Sequence, residues 1–261
     1  MSRPNLFELP VWEHLEQSVR EIFTRGLLAL AEEPRLPLEE DPLNRRLLHW
    51  CRRANHELCK EGRGLPSPIY YEANNQPLAD DPDRASRLRK RPDFQCGLHD
   101  DLAENPDESD LFYTIECKRL GLPTRPDWVL NRNYVENGIL RFILTESGYS
   151  KGAPSGMMIG YIQTMEPERI LSEVNEAGLA QGIPAITLSP RAWITQRLTV
   201  LNSHIVVREL EPKAFSLSHH WLDIRHREFV ETKPKKPTKP AKKKAKKKPG
   251  GEPPTPSLEG Q

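Results

Sequence analysis

The sequence predicts an α/β fold in which helices flank a central mixed sheet. Apolar residues recur at helical spacing in some segments and run together over strand lengths in others, and the two kinds of segment intermix along the chain. From the second helix onward the order is helix, three strands, helix and strand, followed by a mixed extension. This order is typical of a sheet with helices packed on its faces.

Two helices are predicted at the N-terminal end. The first runs from Val11 to Glu33 with one apolar stripe, and Pro34 ends it. The second has Asp41 as its N-cap and Pro42 in its first position, and it stops near Gly62. Both helices therefore present a single face to a core.

Strand and helix patterns then alternate. The strand candidates differ from the helices by their short length and their β-branched and aromatic residues. Strands are predicted at Pro68–Glu72, Pro92–Leu98, Leu111–Lys118, Gly156–Ile162, Pro184–Leu188, Leu198–Val207 and His220–Ile224, and helices at Trp128–Thr145 and Pro167–Leu179. An acidic loop, His99–Asp110, separates the second and third of these strands.

Charge is distributed unevenly along the 261 residues. The segment 231–261 holds ten Lys, three acids and seven Pro, so its formal charge is +7, whereas residues 1–230 carry 28 basic and 34 acidic side chains, a balance of −6. With Leu258 as its one large aliphatic residue, this tail is expected to be disordered. We expect it to hold nucleic acid near an acidic domain, with a purely solubilising role as the alternative.

Several classes of protein are excluded at this stage. No apolar run is long enough for a transmembrane helix, and the first five residues predict no signal peptide. The four cysteines form no CxxC pair, which indicates reduced thiols in a cytoplasmic protein rather than zinc ligands. A glycine-rich phosphate loop is absent, so any ATP-driven motor would be a separate protein.

The chemically informative segment contains Asp93, Glu116 and Lys118. In a strand, residues i and i+2 share a face, so Glu116 and Lys118 project together and Cys117 points away. Asp93 lies opposite Glu116 if the two strands pair as an antiparallel hairpin. Two acids and a lysine would then converge at one edge of the sheet. The Cys117 carbonyl is the candidate for a third oxygen ligand of a metal ion there.

Such a set suits phosphodiester hydrolysis. Hard carboxylate oxygens are the ligands that Mg²⁺ prefers, and a nearby ammonium can orient water or stabilise developing charge. The acid-x-Lys pattern is weak alone, because it recurs at Glu211 and Glu231. Only Glu116 closes an apolar strand and follows a Pro-Asp pair. The alternative is a salt-bridged pair at a strand end, with Asp93 as a turn residue.

Pro92-Asp93 followed by Glu116-Cys117-Lys118 resembles the signature of the PD-(D/E)XK nuclease superfamily, whose fold is restriction-endonuclease-like. The resemblance covers about 120 residues. It implies that Asp93 and Glu116 bind Mg²⁺, with Mn²⁺ as an alternative, and that Lys118 is the catalytic base or positions the water. It also implies a nuclease core at 41–165. Composition and periodicity, not the resemblance, place a helical segment at 1–40 before this core and an α/β extension of the same domain at 166–230 and the tail at 231–261 after it.

Many members of this superfamily add a Glu from the first core helix. Glu57, on the second predicted helix, is the candidate here, and Glu72, on the predicted strand before Asp93, is the alternative. For each of them, the competing interpretation is a solvated surface acid. A weaker resemblance, at Tyr134, Gly138, Arg141-Phe142 and the strand Gly156–Tyr161, is to small bacterial nucleases of anti-phage defence. It implies a partner ATPase or helicase, another defence subunit, or a second copy of the chain in a homo-oligomer.

Basic residues surround the motif. Arg89, Lys90 and Arg91 precede Asp93 together with Arg84 and Arg87, and Arg119 follows Lys118. They are predicted to contact phosphates, DNA being the expected partner, with a solvated basic loop as the alternative. His219, His220 and His226 lack a partner at a metal-site spacing, which favours a surface or packing role. The competing function is an inactive nuclease-like module that binds nucleic acid or a partner protein.

Overall fold

The computed structural model describes residues 8–74, 84–88, 90–99, 109–187 and 197–231. The chain is α/β, as predicted. Its elements in order are α1 (Glu8–Ala31), β1 (Arg35–Pro37), α2 (Glu40–Lys60), β2 (Ile69–Tyr71), α3 (Arg84–Arg87), β3 (Phe94–His99), β4 (Asp110–Leu120), α4 (Leu130–Tyr134), a π-helical turn (Val135–Ile139), α5 (Leu140–Ile143), β5 (Ser155–Ile162), α6 (Pro167–Leu179), β6 (Leu198–Val207), β7 (Ala214–Asp223) and β8 (Glu228–Val230).

Six strands form one mixed sheet in the order β2-β3-β4-β5-β7-β6. β2, β3 and β4 are antiparallel neighbours, β4, β5 and β7 run parallel, and β6 returns antiparallel at the edge. Parallel neighbours need a crossover connection, and the helical segment α4–α5 provides the one between β4 and β5. The predicted mixed sheet flanked by helices is therefore confirmed.

Each face of the sheet carries a hydrophobic core. α1 and α2 pack against one face, where β4 contributes Tyr113, Ile115 and Cys117. The segment α4–α6 packs against the other, where β4 contributes Leu120. Since alternate residues of a strand project to opposite faces, Glu116 and Lys118 lie on the α4–α5 side. The two charged residues are thus placed at the boundary between β4 and its crossover helices.

Some element boundaries were predicted wrongly. Helix α2 begins at Glu40 with the extended Glu39 as its N-cap (φ −82°, ψ 152°), so the predicted N-cap, Asp41, was two residues too late. Pro42 is tolerated in the third position because the first four helical N–H groups have no intrahelical acceptor. The helix predicted over Trp128–Thr145 begins at Leu130 and is divided by the π-helical turn, and the run at His220–Ile224 is the second half of the longer β7.

The strand predicted at Pro184–Leu188 does not form over its described part, 184–187; Leu188 lies outside the described residues. The backbone there bonds to a side chain instead: the Ile186 N–H donates to Asn175 Oδ1 at 2.8 Å, and Asn175 Nδ2 donates to the Ile186 carbonyl at 2.9 Å. A side chain of α6 therefore takes the place of a neighbouring strand. Within the described ranges, no helix combines the length and the apolar character that a membrane crossing needs.

Gly160 sits at the most crowded point of β5. A Cβ at this position would lie 2.7 Å from Trp221 Cδ1 and closer still to Leu120 Cδ1, and both side chains are fully buried. We expect Gly160→Ala to lower the free energy of unfolding by about 1–3 kcal/mol through overpacking. Urea unfolding followed by tryptophan fluorescence measures the change.

Gly178 in α6 is the matched control. A Cβ there would meet Ile183 at 3.7 Å or beyond, which is ordinary van der Waals contact. Alanine at this helical position should raise the free energy of unfolding by about 0.5–1 kcal/mol, because glycine loses more backbone entropy on folding. Equal effects of the two substitutions would show that the crowding around Gly160 relaxes freely.

Candidate active site

The candidate site forms where β4 continues beyond β3. The last β3–β4 pair is Phe94 with Ile115, so β4 has no β3 partner from Glu116 onward. Pro92 lacks the N–H needed to extend the ladder towards the N-terminus, which helps to explain why β3 starts no earlier than Phe94. Along this unpaired edge, side chains instead of a neighbouring strand bond to the backbone of β4.

Three side chains bond to this open backbone edge. The Cys117 N–H donates to Asp93 Oδ2 at 2.7 Å, and the Arg119 N–H donates to Glu40 Oε2 at 3.2 Å. Between them, Lys118 Nζ donates to the Cys117 carbonyl at 2.7 Å. The missing strand is therefore replaced by two acids and an ammonium.

The structure brings Asp93, Glu116 and Lys118 together, as the sequence predicted. Lys118 Nζ donates to Glu116 Oε1 at 2.8 Å and to Glu40 Oε1 at 2.9 Å. Glu116 is 1% exposed and Lys118 is 8% exposed, so both charges lie out of contact with bulk water. A buried charge is tolerated only when it is paired and hydrogen-bonded, which makes this network interdependent.

Asp93 is held rigidly by the core. Asn44, which is completely buried on α2, donates its Nδ2 to Asp93 Oδ1 at 3.0 Å. The Tyr161 hydroxyl in turn donates to Asn44 Oδ1 at 2.8 Å, which fixes the orientation of the amide. Side chains from α2 and β5 therefore orient the carboxylate that bonds to β4.

Arg141 on α5 is a site residue that the spacing of the motif did not reveal. Its NH1 atom donates to Glu116 Oε1 at 2.6 Å and to the Tyr149 hydroxyl at 3.3 Å. The other carboxylate oxygen, Glu116 Oε2, is buried and has no hydrogen-bond partner among the described residues. Glu116 therefore keeps one acceptor site unused within a polar cluster.

The charges of the cluster do not balance. Three carboxylates, from Glu40, Asp93 and Glu116, surround two cations, Lys118 and Arg141. Burial, followed by the charge of Glu116, raises the pKa of Asp93 well above its usual range. Burial also raises the pKa of Glu116, although the neighbouring cations Lys118 and Arg141 oppose the shift. The cluster thus holds its full negative charge poorly without a further cation.

Lys118 remains protonated in this setting. Burial alone lowers the pKa of an ammonium, but the surrounding carboxylates of Glu116, Glu40 and Asp93 outweigh it and raise the pKa of Lys118 above its ordinary value. Lys118 is accordingly a hydrogen-bond donor at the site.

The acid that joins Asp93 and Glu116 in the cluster is Glu40, whereas neither Glu57 nor Glu72 reaches it. Glu57 lies 17 residues further along α2, about 25 Å away at the helical rise, and pairs with Lys60 and His56 on the surface. Glu72 accepts its described side-chain hydrogen bond from the Tyr71 hydroxyl. Three consecutive acids, Glu39, Glu40 and Asp41, lie at the start of α2, so only the helix register identifies Glu40, and the predicted N-cap at Asp41 was two residues too late.

The basic residues predicted to contact phosphate have different surroundings. Arg89 lies outside the described residues, Lys90 is half-buried, and Arg91 is exposed with its Nε donating to Asn74 Oδ1 at 2.6 Å. Arg119 is half-buried beside Glu40, and its NH1 approaches the Leu38 carbonyl at 3.5 Å. Arg87, from the same predicted cluster, is buried and bonds to the Thr145 carbonyl at 2.8 Å, so its role is structural.

A divalent cation is compatible with the donor set. No group of three or more His, Cys, Asp and Glu side chains forms a ready metal site among the described residues. Mg²⁺, however, is commonly held by one or two carboxylates together with water and substrate phosphate. Asp93 and Glu116 supply such oxygens, Glu116 Oε2 has no partner among the described residues, and the cluster has one carboxyl group more than it has cations.

His219 and His220 are core residues of β7. Trp221 Nε1 donates to the Tyr134 hydroxyl at 3.0 Å, which bonds to His219 Nδ1 at 2.8 Å. The chain continues from His219 Nε2 to His204 Nδ1 at 3.2 Å and from His204 Nε2 to the Pro184 carbonyl at 2.7 Å. When each group donates its proton to the next in this order, every hydrogen bond of the chain is made and both imidazoles are neutral. The packing role is therefore confirmed for His219.

The comparisons with known proteins return no relative. No family model matches the sequence, no curated protein matches it, and no solved structure matches the fold.

Proposed function

We propose that the chain is a metal-dependent endonuclease that hydrolyses phosphodiester bonds, with DNA as its substrate. The observation that carries the proposal is a cluster in which three acids, Glu40, Asp93 and the buried Glu116, face two cations, Lys118 and Arg141, while Glu116 Oε2 has no partner among the described residues. A salt-bridged strand end alone, the alternative interpretation, would need neither the third acid nor a carboxylate oxygen left without a partner.

The order of elements supports the finer proposal of a restriction-endonuclease-like fold. Helix α2, the antiparallel strands β2, β3 and β4, the helical segment α4–α5 and the strand β5 follow one another as the resemblance implies, and β5 pairs parallel with β4. The same proposal includes a role in a bacterial anti-phage defence system, together with a partner ATPase or helicase. This part is supported by the weaker resemblance alone.

The residues of the site have separable roles. Asp93 and Glu116 would hold Mg²⁺, with the Cys117 carbonyl as the candidate third oxygen, and a bound Mg²⁺ supplies charge neutralisation and an acidified water. Asn44 and the Cys117 N–H orient Asp93. Because the Lys118 ammonium is protonated and fixed by Glu116 and Glu40, it is suited to positioning the water or stabilising charge on the phosphate, and less suited to acting as a base.

Glu116→Gln tests the proposal. The wild-type chain should nick supercoiled plasmid with Mg²⁺ and be inactive with a chelator, and Glu116→Gln should lower the rate on the order of 100-fold or more, because a hard ligand and its charge are lost. Mg²⁺ should also raise the melting temperature of the wild type, since a ligand that binds only the folded state stabilises it, and this shift should vanish in the variant.

Glu57→Gln is the matched control, because it makes the same change on the surface of α2. It should retain both cleavage and the Mg²⁺-dependent shift. Cleavage by Glu116→Gln at the wild-type rate would refute the site assignment.

The second candidate function is an inactive nuclease-like module that binds nucleic acid or a partner protein. Its favouring observation is that Lys118 and Arg141 both bond to Glu116 Oε1, so this acid is already neutralised without metal. Binding of DNA without cleavage of DNA or RNA by any form, and without a Mg²⁺-dependent shift, would favour this function over the nuclease.

A further inference from the structure

The outer face of α2 carries a continuous basic stripe. Arg45, His49, Arg52 and His56 follow one another at intervals of four, three and four residues, so they line one side of the helix, with Arg53 beside them. All five side chains are exposed, and they lie opposite the buried stripe of the same helix. From Arg45 to His56 the stripe spans about 16 Å.

The arginines of the stripe form no ion pair with a described carboxylate, although the Tyr71 hydroxyl and the carboxylates of Glu72 and Asp41 lie near Arg45. No described carboxylate forms an ion pair with Arg45, Arg52 or Arg53, whereas the neighbouring Arg46 pairs with Glu33. Arg53 instead places its guanidinium 5.5 Å from the centre of the Trp50 ring, and Trp50 donates its Nε1 to Glu33 Oε1 at 2.6 Å. These contacts hold the tryptophan in place and leave the guanidinium groups of Arg52 and Arg53 able to bond elsewhere.

Two surface clefts meet at Trp50. One, of about 570 Å³, is lined by Pro37, Pro42, Arg45, Arg46, His49 and Trp50 together with Glu33. The other, of about 700 Å³, lies towards α1 and includes His49, Trp50, Arg52, Arg53 and His56 together with Glu57. The stripe therefore borders two open surface depressions, one on each side of the Trp50 ring.

The positive charge of the stripe is opposite in sign to the charge balance of residues 1–230 as a whole, which is −6. Positive charge on a rigid helix favours a ligand with regularly repeated anionic groups. Over about 16 Å a nucleic-acid duplex presents about ten phosphate charges on its two strands. A carboxylate also fits a guanidinium fork, but an acidic protein segment lacks this regular repeat of charge.

We propose that the outer face of α2, centred on Arg45, Arg52, Arg53 and Trp50, binds the sugar-phosphate backbone of a nucleic acid. Helix α2 also carries Glu40 at its first residue, so one rigid element joins this surface to the acidic cluster. The inference goes beyond the proposed cleavage because it depends on binding alone. Phosphate contacts fix the position of a protein on its ligand without reading sequence.

The test is salt-dependent binding of a fluorescein-labelled 30-base-pair DNA duplex to the full chain without metal, followed by anisotropy. A triple variant replaces three guanidinium groups with amides: Arg45→Gln, Arg52→Gln and Arg53→Gln. Losing three phosphate contacts should weaken binding on the order of 30-fold or more at 0.1 M salt and flatten the slope of log K against log salt by about 2.7. The single variant Arg52→Gln, which removes an arginine without a described ion pair, should flatten the slope by about 0.9.

The matched control removes the same charge from other exposed positions: Arg35→Gln, Arg169→Gln and Lys213→Gln. A stripe variant with the slope of this control would overturn the inference, as would displacement of the duplex by polyglutamate at equal charge concentration. An RNA duplex of the same sequence decides which polymer is preferred. Because the binding assay contains no metal and does not score cleavage, failure of the cleavage proposal and failure of this inference give different results.

Discussion

Lys118→Met is expected to abolish cleavage and to weaken the fold at neutral pH. Lys118 donates to Glu116, Glu40 and the Cys117 carbonyl, so the variant leaves buried acceptors and carboxylates without their shared cation. Removing one partner of a buried charge network costs about 3–5 kcal/mol of unfolding free energy. Loss of the donor at the phosphate should lower the cleavage rate by about 100- to 1000-fold.

The pH dependence of this penalty has a definite sign. The pKa values of Asp93 and Glu116 are raised already in the wild type, and without the Lys118 ammonium they rise further. The carboxyls then take up protons in the folded state as the pH falls, which removes their repulsion. The difference in unfolding free energy between wild type and Lys118→Met should therefore be largest near pH 8 and shrink towards pH 5.

Urea unfolding at several pH values measures this difference. Adding Glu116→Gln to Lys118→Met should recover much of the stability, because the acid left unpaired is removed, and should recover no cleavage. Lys213→Met, which removes an exposed lysine beside Glu211, is the control and should change neither property. Wild-type stability of Lys118→Met at pH 8 would contradict the interdependence of the network.

The second large effect is acid destabilisation through buried histidines. Burial lowers the pKa of His219 well below its ordinary value, lowers that of His204, and lowers the pKa of His220 to about 3. A base whose pKa is lower in the folded state gives stability that is present above its unfolded value, 6.5, and is lost as the pH falls towards the folded value. Each such histidine contributes about 1.4 kcal/mol per pH unit within that window.

Asp93 and Glu116 act in the opposite direction because their pKa values are raised, so a single-site comparison is needed. His220 is suited to it, since its buried Nδ1 has no hydrogen-bond partner among the described residues. His220→Leu should leave the stability at pH 7.5 within about 1 kcal/mol of the wild type, because no described hydrogen bond of Nδ1 is broken. It should also lower the slope of unfolding free energy against pH by about 1.4 kcal/mol per unit below pH 6.

The control is His14→Leu, which removes a histidine that is exposed on α1. Its slope between pH 4 and pH 6 should equal that of the wild type. Parallel slopes for His220→Leu and the wild type would mean that His220 is protonated in the folded chain, against its burial.

Local patterns were sufficient for the three motif residues and for most elements. Alternation along β4 places Glu116 and Lys118 on one face, and Asp93 lies just before the start of β3. Their convergence therefore follows from strand geometry and one hairpin register. The mixed sheet is likewise predictable, because three strand-like runs precede a helical crossover. These features depend on neighbours that are close in sequence or on periodicity within one element.

Other features depended on contacts between distant segments. β1 and β8 pair over three residues each, which is too short for a periodic pattern, and Asn175 replaces the strand predicted at 184–187. The division of the helix after residue 130 by a π-helical turn is similarly invisible in the periodicity. In each case the competing conformations differ by few local interactions, so packing decides between them.

For the candidate site, the sequence by itself determined that two acids and a lysine meet at a strand end, since side-chain direction in a strand has a period of two. Only the tertiary structure decided which acid joins them, because Glu40 and Lys118 are 78 residues apart and meet where β4 lacks a neighbour. The structure likewise brought Arg141 to Glu116 and exposed the basic face of α2. Charge and periodicity are properties of a segment, whereas the neutralisation of a charge depends on what the rest of the fold places beside it.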